Sequence, residues 1–247
     1  MLAARTARTI TFRALLFAVF AALTLAGTAG AASTDPQVQI AAADQAWAES
    51  MLLTAGDLGG GWNALAAAGG GEAGDGSAAA LCPGFNLNES DLVVTGGSAS
   101  PNFMRGDGAV ASSAATVWQT PEQAQADWDR LVQPPLLDCL GSAISAGSTK
   151  KVKIVVRSKR VLPFPGVAPR TAAYRLALSL KTSLKVTGKL KKVSLPATFD
   201  FVLLGNGRAT GLLFFISFNA KPLSDGYKQS LALLMGQRMA TDPNPGS

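Results

Sequence analysis

The 247-residue chain contains no histidine. That absence removes His-based catalytic triads, histidine metal ligands and the usual general base near neutral pH. Its two cysteines, Cys82 and Cys139, are too few to build a structural zinc site by themselves. After the N-terminal apolar stretch, no run approaches the roughly eighteen uninterrupted apolar residues of a membrane span. The most telling shortage is local. Between Lys150 and Lys192 there are thirteen basic residues and no Asp or Glu. The stretch from Ala32 to Thr149 is the reverse, with thirteen acids against two bases, Arg105 and Arg130. A formal net charge of +6 therefore conceals an acidic half and a basic half.

The N-terminus reads as a secretory signal. Arg5, Arg8 and Arg13 precede an apolar run from Ala14 to Leu25, and Ala29-Gly30-Ala31 fits the small-x-small cleavage pattern. A signal peptide over residues 1–31 is expected, with an uncleaved anchor as the alternative. No cysteine stands directly after the apolar run, so a lipid anchor is not indicated. Without the three signal arginines, 19 basic residues face 16 acidic ones. About 215 remaining residues suit one domain, expected over 32–240, with a flexible Gly/Ala-rich loop near 59–80 and a disordered tail over 241–247. An exported chain meets an oxidising compartment, so a Cys82–Cys139 disulfide is expected, stabilising by roughly 4 kcal/mol on the loop-entropy account. Two free buried thiols are the alternative.

Periodicity organises the rest. Pro36 to Leu53 predicts a helix capped by Thr34 or Asp35, with Ile40, Ala43, Trp47 and Met51 on one face. Leu92–Thr95 and Gly108–Trp118 read as strands. Thr120-Pro121-Glu122-Gln123 opens a second helix with a capping-box pattern. Pro134-Pro135 breaks it, and Leu136–Leu140 forms a short piece carrying Cys139. Strands follow over 151–161, 171–181, 185–195, 198–204 and 208–218, the last two joined by an Asn206-Gly207 turn. Residues 222–239 predict a final helix. The fold class is α+β: a twisted antiparallel sheet packed with N-terminal, middle and C-terminal helices.

Strand side chains alternate between faces, so parity decides whether the basic residues gather. Odd positions hold Lys151, Lys153, Arg157, Lys159, Arg175, Lys181, Lys185, Lys189 and Lys191; their even neighbours are mostly apolar. A three-residue loop at Thr182-Ser183-Leu184 would align Leu180 with Val186 and place all nine on one surface. That surface suits an anionic cell-envelope polymer or lipid headgroups. The bland reading is a solvated sheet face whose edge lysines prevent aggregation. Nucleic acid is not expected, because no aromatic residues interleave with the lysines as a base-stacking platform requires. Asp200, the one acid between Lys150 and Ser224, is expected to pair with a nearby cation.

Other motifs are weak. Ser148-Thr149-Lys150-Lys151 has a penicillin-binding S-x-x-K spacing but lacks the partner motifs. Asp127 and Asp129 are two apart on a helix and read as a solvated surface. Glu89 and Asp91 share a strand-like spacing without a third oxygen ligand. The tryptophans read mainly as core, with Trp62, beside three glycines, as the candidate pocket mouth.

The residue order resembles a known family. Leu52-Leu53-Thr54-Ala55-Gly56-Asp57-Leu58 is followed by Gly61-Trp62, a first cysteine, then Thr120-Pro121-Glu122-Gln123-Ala124 leading to Asp138-Cys139-Leu140. Ala173-Tyr174-Arg175, Asp200-Phe201-Val202 and Gly207-Arg208 precede the last helix. This is similar to exported actinobacterial proteins related to the extracellular sensor domain of mycobacterial membrane Ser/Thr kinases. The resemblance implies a twisted sheet with helices and a ligand cleft; this chain has one cysteine pair where the kinase sensors have two. The expected function is a secreted, non-enzymatic binding or sensor-like domain without a cofactor, taking an anionic envelope component on the basic face or a small apolar ligand in a cleft. The alternative is a carboxylate-dependent hydrolase of the cell envelope.

Overall fold

The computed structural model describes residues 35–65, 88–149, 151–186, 189–218 and 222–243. The expected signal peptide, Cys82, Lys150, most of the Gly/Ala-rich loop and the end of the tail lie outside them. The elements in chain order are β1 (Gln37–Val38), α1 (Ala42–Met51), α2 (Ala55–Leu58), β2 (Trp62–Ala64), β3 (Val93–Ala99), β4 (Phe103–Arg105) and β5 (Val110–Trp118). There follow α3 (Pro121–Leu131), α4 (Leu136–Ala146), β6 (Val152–Leu162), β7 (Arg170–Val186), β8 (Lys189–Asn206), β9 (Ala209–Phe218) and α5 (Asp225–Met239). Among the described residues the strands form one nine-stranded open sheet, ordered β1-β3-β5-β9-β8-β7-β6, with β4 on β5 and β2 on β4. Among the described strand pairs, β1–β3 alone is parallel. The α+β class read from the sequence is the observed one.

Both faces of the sheet are covered, by different helices. Odd positions of β5 and β9 and even positions of β8 pack Val117, Leu213, Phe215, Val202 and Leu204 against Trp47 and Met51 of α1 and Leu231 and Met235 of α5. The opposite face sets Leu176, Leu178, Leu180, Phe199 and Ile216 against Ile144 of α4. It continues through Tyr174 and Leu203 to Leu136 of α4 and Trp128 of α3. Fully burying each large apolar side chain stabilises by about 1.5–3 kcal/mol, so these two layers fix the sheet between its helices.

Several expected elements take another form, each for a visible reason. Pro36 does not start a helix. The amides of Gln37, Gln39 and Ala41 donate to Leu92, Val94 and Thr95 carbonyls at 2.9, 2.9 and 2.8 Å, so the segment becomes an edge strand and helix α1 starts at Ala42. Helix α4 runs on to Ala146 because Ile144 has a core to fill. The strands expected over 171–181 and 185–195 are parts of two long strands, β7 and β8, leaving two residues between Val186 and Lys189. Residues 189–195 and 198–204 are likewise one strand, β8, with Pro196 paired to Ser179 inside it. The last hairpin turns at Gly207-Arg208 instead of Asn206-Gly207, since Asn206 pairs with Ala209. Phe199 consequently faces Ile216, while Phe201 faces Phe214 and Leu203 faces Leu212. Gly207 has φ of 51°, a left-handed conformation that glycine adopts without strain. Helix α5 starts later than expected, where the Ser224 hydroxyl accepts from the Tyr227 amide at 3.2 Å.

Candidate functional site

The β6–β7–β8 end of the sheet is where the basic residues gather. On the face shared with α5, that helix begins at Asp225 beside Arg175. Farther along the same face Lys153 lies directly opposite Lys181, Lys181 opposite Ser194, and Ser183 opposite Lys192. A shallow cavity of about 320 Å³ opens here, lined by Thr149, Lys151, Lys153, Lys181, Ser183, Lys192 and Ser194, with Thr182 and Val193 beneath. All four lysines are exposed. None makes an ion pair among the described residues, whereas most cations elsewhere do.

Local structure holds the rim. The Thr149 hydroxyl accepts from the Val152 amide at 3.0 Å, turning the chain into β6. Thr182 donates to the Lys151 carbonyl at 3.0 Å. Ser179 and Ser194 share a hydrogen bond of 2.7 Å across β7 and β8. Ser183 adds a hydroxyl beside Lys192. The lining thus offers four ammonium groups and neutral hydroxyls, a donor set for phosphate or carboxylate oxygens.

The nine-residue basic face expected from parity does not form as a unit. Lys151, Lys153 and Lys181 come together as expected. A β-bulge at Arg157 shifts the register between Val156 and Ser158, so Lys159 lies opposite Leu176 and turns to the other face. There its ammonium meets Asp138 of α4 at 2.8 Å. Arg175 is on the right face but buried, held by Asp200 at 2.6 Å and Asp225 at 2.7 Å. The expected loop at Thr182-Ser183-Leu184 is strand, and Leu184 pairs with Lys191, Lys185 with Leu190 and Val186 with Lys189. Lys189 and Lys191 therefore sit at positions opposite aliphatic residues and not opposite lysines. Lys192, an even-numbered residue that parity had set aside, takes their place in the cluster. Arg157 is exposed at the bulge.

Trp62 is 6% exposed and belongs to the core, with the Arg105 guanidinium 5.3 Å from its ring. Cys139 sits on α4, and no cysteine among the described residues is free. Its pairing with Cys82 stays an expectation, since Cys82 lies outside the described residues.

Charged groups also occupy the interior. Asp200 accepts from Arg175 and from the fully buried Lys228, and Asp225 lies 2.7 Å from each of these cations. The expectation that Asp200 pairs with a cation holds, with two. Arg208, 3% exposed, makes paired contacts of 3.0 Å to Asp44 of α1 and reaches Asp242 at 3.0 Å beyond α5. Asp242 is therefore fixed, although it lies in the segment expected to be disordered. Two carboxyls are held well above their usual range. Burial, then the charge of Asp127, pushes Glu89 up to about 7. Burial raises Asp127 to about 6 against hydrogen bonds from Thr210 and Trp118 and the charges of Arg170 and Arg130. Asp127 is no solvated surface acid: it lies on the buried face of α3 and is 6% exposed. Among the described residues no group of three or more acids and cysteines is placed to hold a metal ion.

No protein-family profile matches the sequence. No curated protein is detectably similar. Among solved structures the chain is similar to "Crystal structure of the extracellular domain of PknH from Mycobacterium tuberculosis", with a TM-score of 0.42 and 10% identity, covering 81% of this chain and 97% of that one.

Proposed function

We propose that this chain is an exported, non-enzymatic binding domain that engages the phosphate or carboxylate groups of an anionic envelope component through Lys151, Lys153, Lys181 and Lys192. The observation that carries this reading is the cluster itself: four exposed lysines around one depression, with no acid in ion-pair range among the described residues. Like charges on neighbouring strands repel, and a directly opposed Lys153–Lys181 pair destabilises by a fraction of a kcal/mol up to about 1 kcal/mol. A polyanion removes that repulsion on binding. Lysines act as hydrated point charges without the bidentate fork of arginine, which suits a repeating or surface-borne anion better than one oriented small ligand.

Titrating the protein with short-chain polyphosphate tests the reading. Binding is expected at about 0.02 M salt and should weaken at least about tenfold by 0.3 M, as screening of exposed charges requires. A Lys153→Gln/Lys181→Gln/Lys192→Gln variant should lose most of it. Equal binding by the variant, or none by the parent protein at low salt, defeats the proposal.

A further inference from the structure

Among the described residues β6 is the last strand of the sheet, with β7 on one side and no strand on the other. At its start that outer side is occupied from within the chain. The Ser148 hydroxyl accepts from the Ile154 amide at 3.0 Å, and the Thr149 amide donates to the Val152 carbonyl at 2.8 Å. Over residues 156–162 no hydrogen bond outside the β6–β7 ladder reaches the backbone among the described residues. Every side chain over 157–161 is exposed, Val161 at 66%. A strand edge with unpaired amides and carbonyls is a template for another chain.

Charge narrows what can pair there. Arg157 and Arg160 are exposed and make no ion pair among the described residues, and Lys159 is held by Asp138. A second copy adding through its own β6 would bring these cations beside their counterparts, and like charges facing across strands destabilise. The same cations attract an acidic strand. Alternation defines that strand further. Arg160 lies opposite Arg175, on the α5 side of the sheet, and Val161 lies opposite Tyr174, on the other side. Arg175 already has Asp200 and Asp225, so an incoming carboxylate is free to serve Arg160. A partner strand alternating acidic with aliphatic residues meets Arg160 on one face and covers Val161 on the other. Arginine, with its bidentate fork, suits single oriented carboxylates better than lysine does.

We infer that the edge of β6 over residues 156–162 docks an extended acidic segment of a partner protein, which joins the sheet as a further strand. Main-chain hydrogen bonds supply affinity common to any extended chain, and the alternate side chains supply the choice of partner. The bulge at Arg157 increases the local twist, which bars a rigid sheet edge while a single flexible segment follows it.

Titrating the full chain with an end-blocked peptide of about eight alternating Val and Glu residues tests this, with backbone amide shifts followed at about 0.02 M salt. The shifts should gather over residues 156–162, and binding should weaken several-fold by about 0.3 M salt. The same peptide N-methylated through its central half cannot complete the ladder and should bind at least about tenfold more weakly. Arg157→Gln/Arg160→Gln, with an unchanged melting curve, should lose about tenfold toward the acidic peptide while keeping its polyphosphate binding. A peptide of alternating Val and Lys should not bind. Equal binding by the N-methylated peptide, undiminished binding by the double variant, or no binding at low salt overturns the inference. Shifts confined to Lys151, Lys153, Lys181 and Lys192 overturn it too, because the peptide is then one more polyanion at the depression. Docking of the peptide without any polyphosphate binding leaves the edge standing and removes the lysine site alone.

Discussion

Asp200 is the residue on which the interior charge balance turns. It receives Arg175 from β7 and Lys228 from α5, and it is 2% exposed. Replacing it with alanine leaves two buried cations sharing Asp225 alone, a loss expected to cost about 3–5 kcal/mol in denaturant unfolding. Glu89 acts in the opposite sense. Its folded pKa of about 7 is above its ordinary 4.5, so the stability it contributes is complete below about pH 4.5 and is lost as pH rises through 7. Glu89→Gln should therefore stabilise at pH 8 by about 1 kcal/mol, a value kept small because the group retains part of its solvent shell. The same substitution should have no stabilising effect at pH 4, and melting curves at the two pH values check both statements. Lys228 and Asp127 were legible in the sequence to a stricter reading. Lys228 stands three and seven residues before Leu231 and Met235, and Asp127 three after Ala124, so helical spacing alone places both on buried faces.

At the scale of elements, close approach and register decide what sequence patterning left open. Helix α1 crosses β3 at Gly96, where an added Cβ would stand 2.4 Å from the Asp44 carbonyl oxygen. Gly96→Ala should push the helix outward and destabilise by about 1–3 kcal/mol, measured as a lowered unfolding midpoint with unchanged slope. Alternation correctly separated the basic and apolar faces of β7, where Leu176, Leu178 and Leu180 are buried and Lys181 exposed. It failed in β6 because a bulge adds one residue, and a single extra residue exchanges the faces of everything beyond it. Nothing in Val155-Val156-Arg157-Ser158 announces that bulge. The register between β7 and β8 differs from the expected one, since Val186 pairs with Lys189. The preference for aligned leucines argued against this pairing, and the long strands accept lysine-aliphatic pairs instead. The turn at Gly207-Arg208 was displaced by chemistry far away in sequence. Arg208 must reach Asp44, 164 residues earlier, and that contact is invisible to local periodicity. The capping box at α3 was half right: Thr120 caps Gln123, but the Gln123 side chain accepts from Val93 and ties the helix to β3.

For the whole molecule, the acidic and basic halves of the chain become different things in space. Much of the acidic half is consumed internally, where Asp44 neutralises Arg208 and Asp57 neutralises Arg238. The basic half divides, with Arg175 buried, Lys159 paired to Asp138, and a remainder left at one end of the sheet. Carboxyls held low by cations, such as Asp225 beside Lys228 and Arg175 or Asp107 beside Arg105, lose their stabilisation as pH falls through their depressed values. Glu89 and Asp127, at about 7 and about 6, lose theirs as pH rises. Thermal stability should therefore peak on the acid side of neutrality, between about pH 4 and 6, and a flat profile from pH 4 to 8 would contradict these environments. The cationic end tests the central claim most directly through residue-resolved titration. Following backbone amide shifts while adding inorganic pyrophosphate at low salt should move residues around Lys151, Lys153, Lys181 and Lys192, and leave those around Trp62 and Glu89 still. Shifts scattered over the surface, or gathered away from those four lysines, would contradict it.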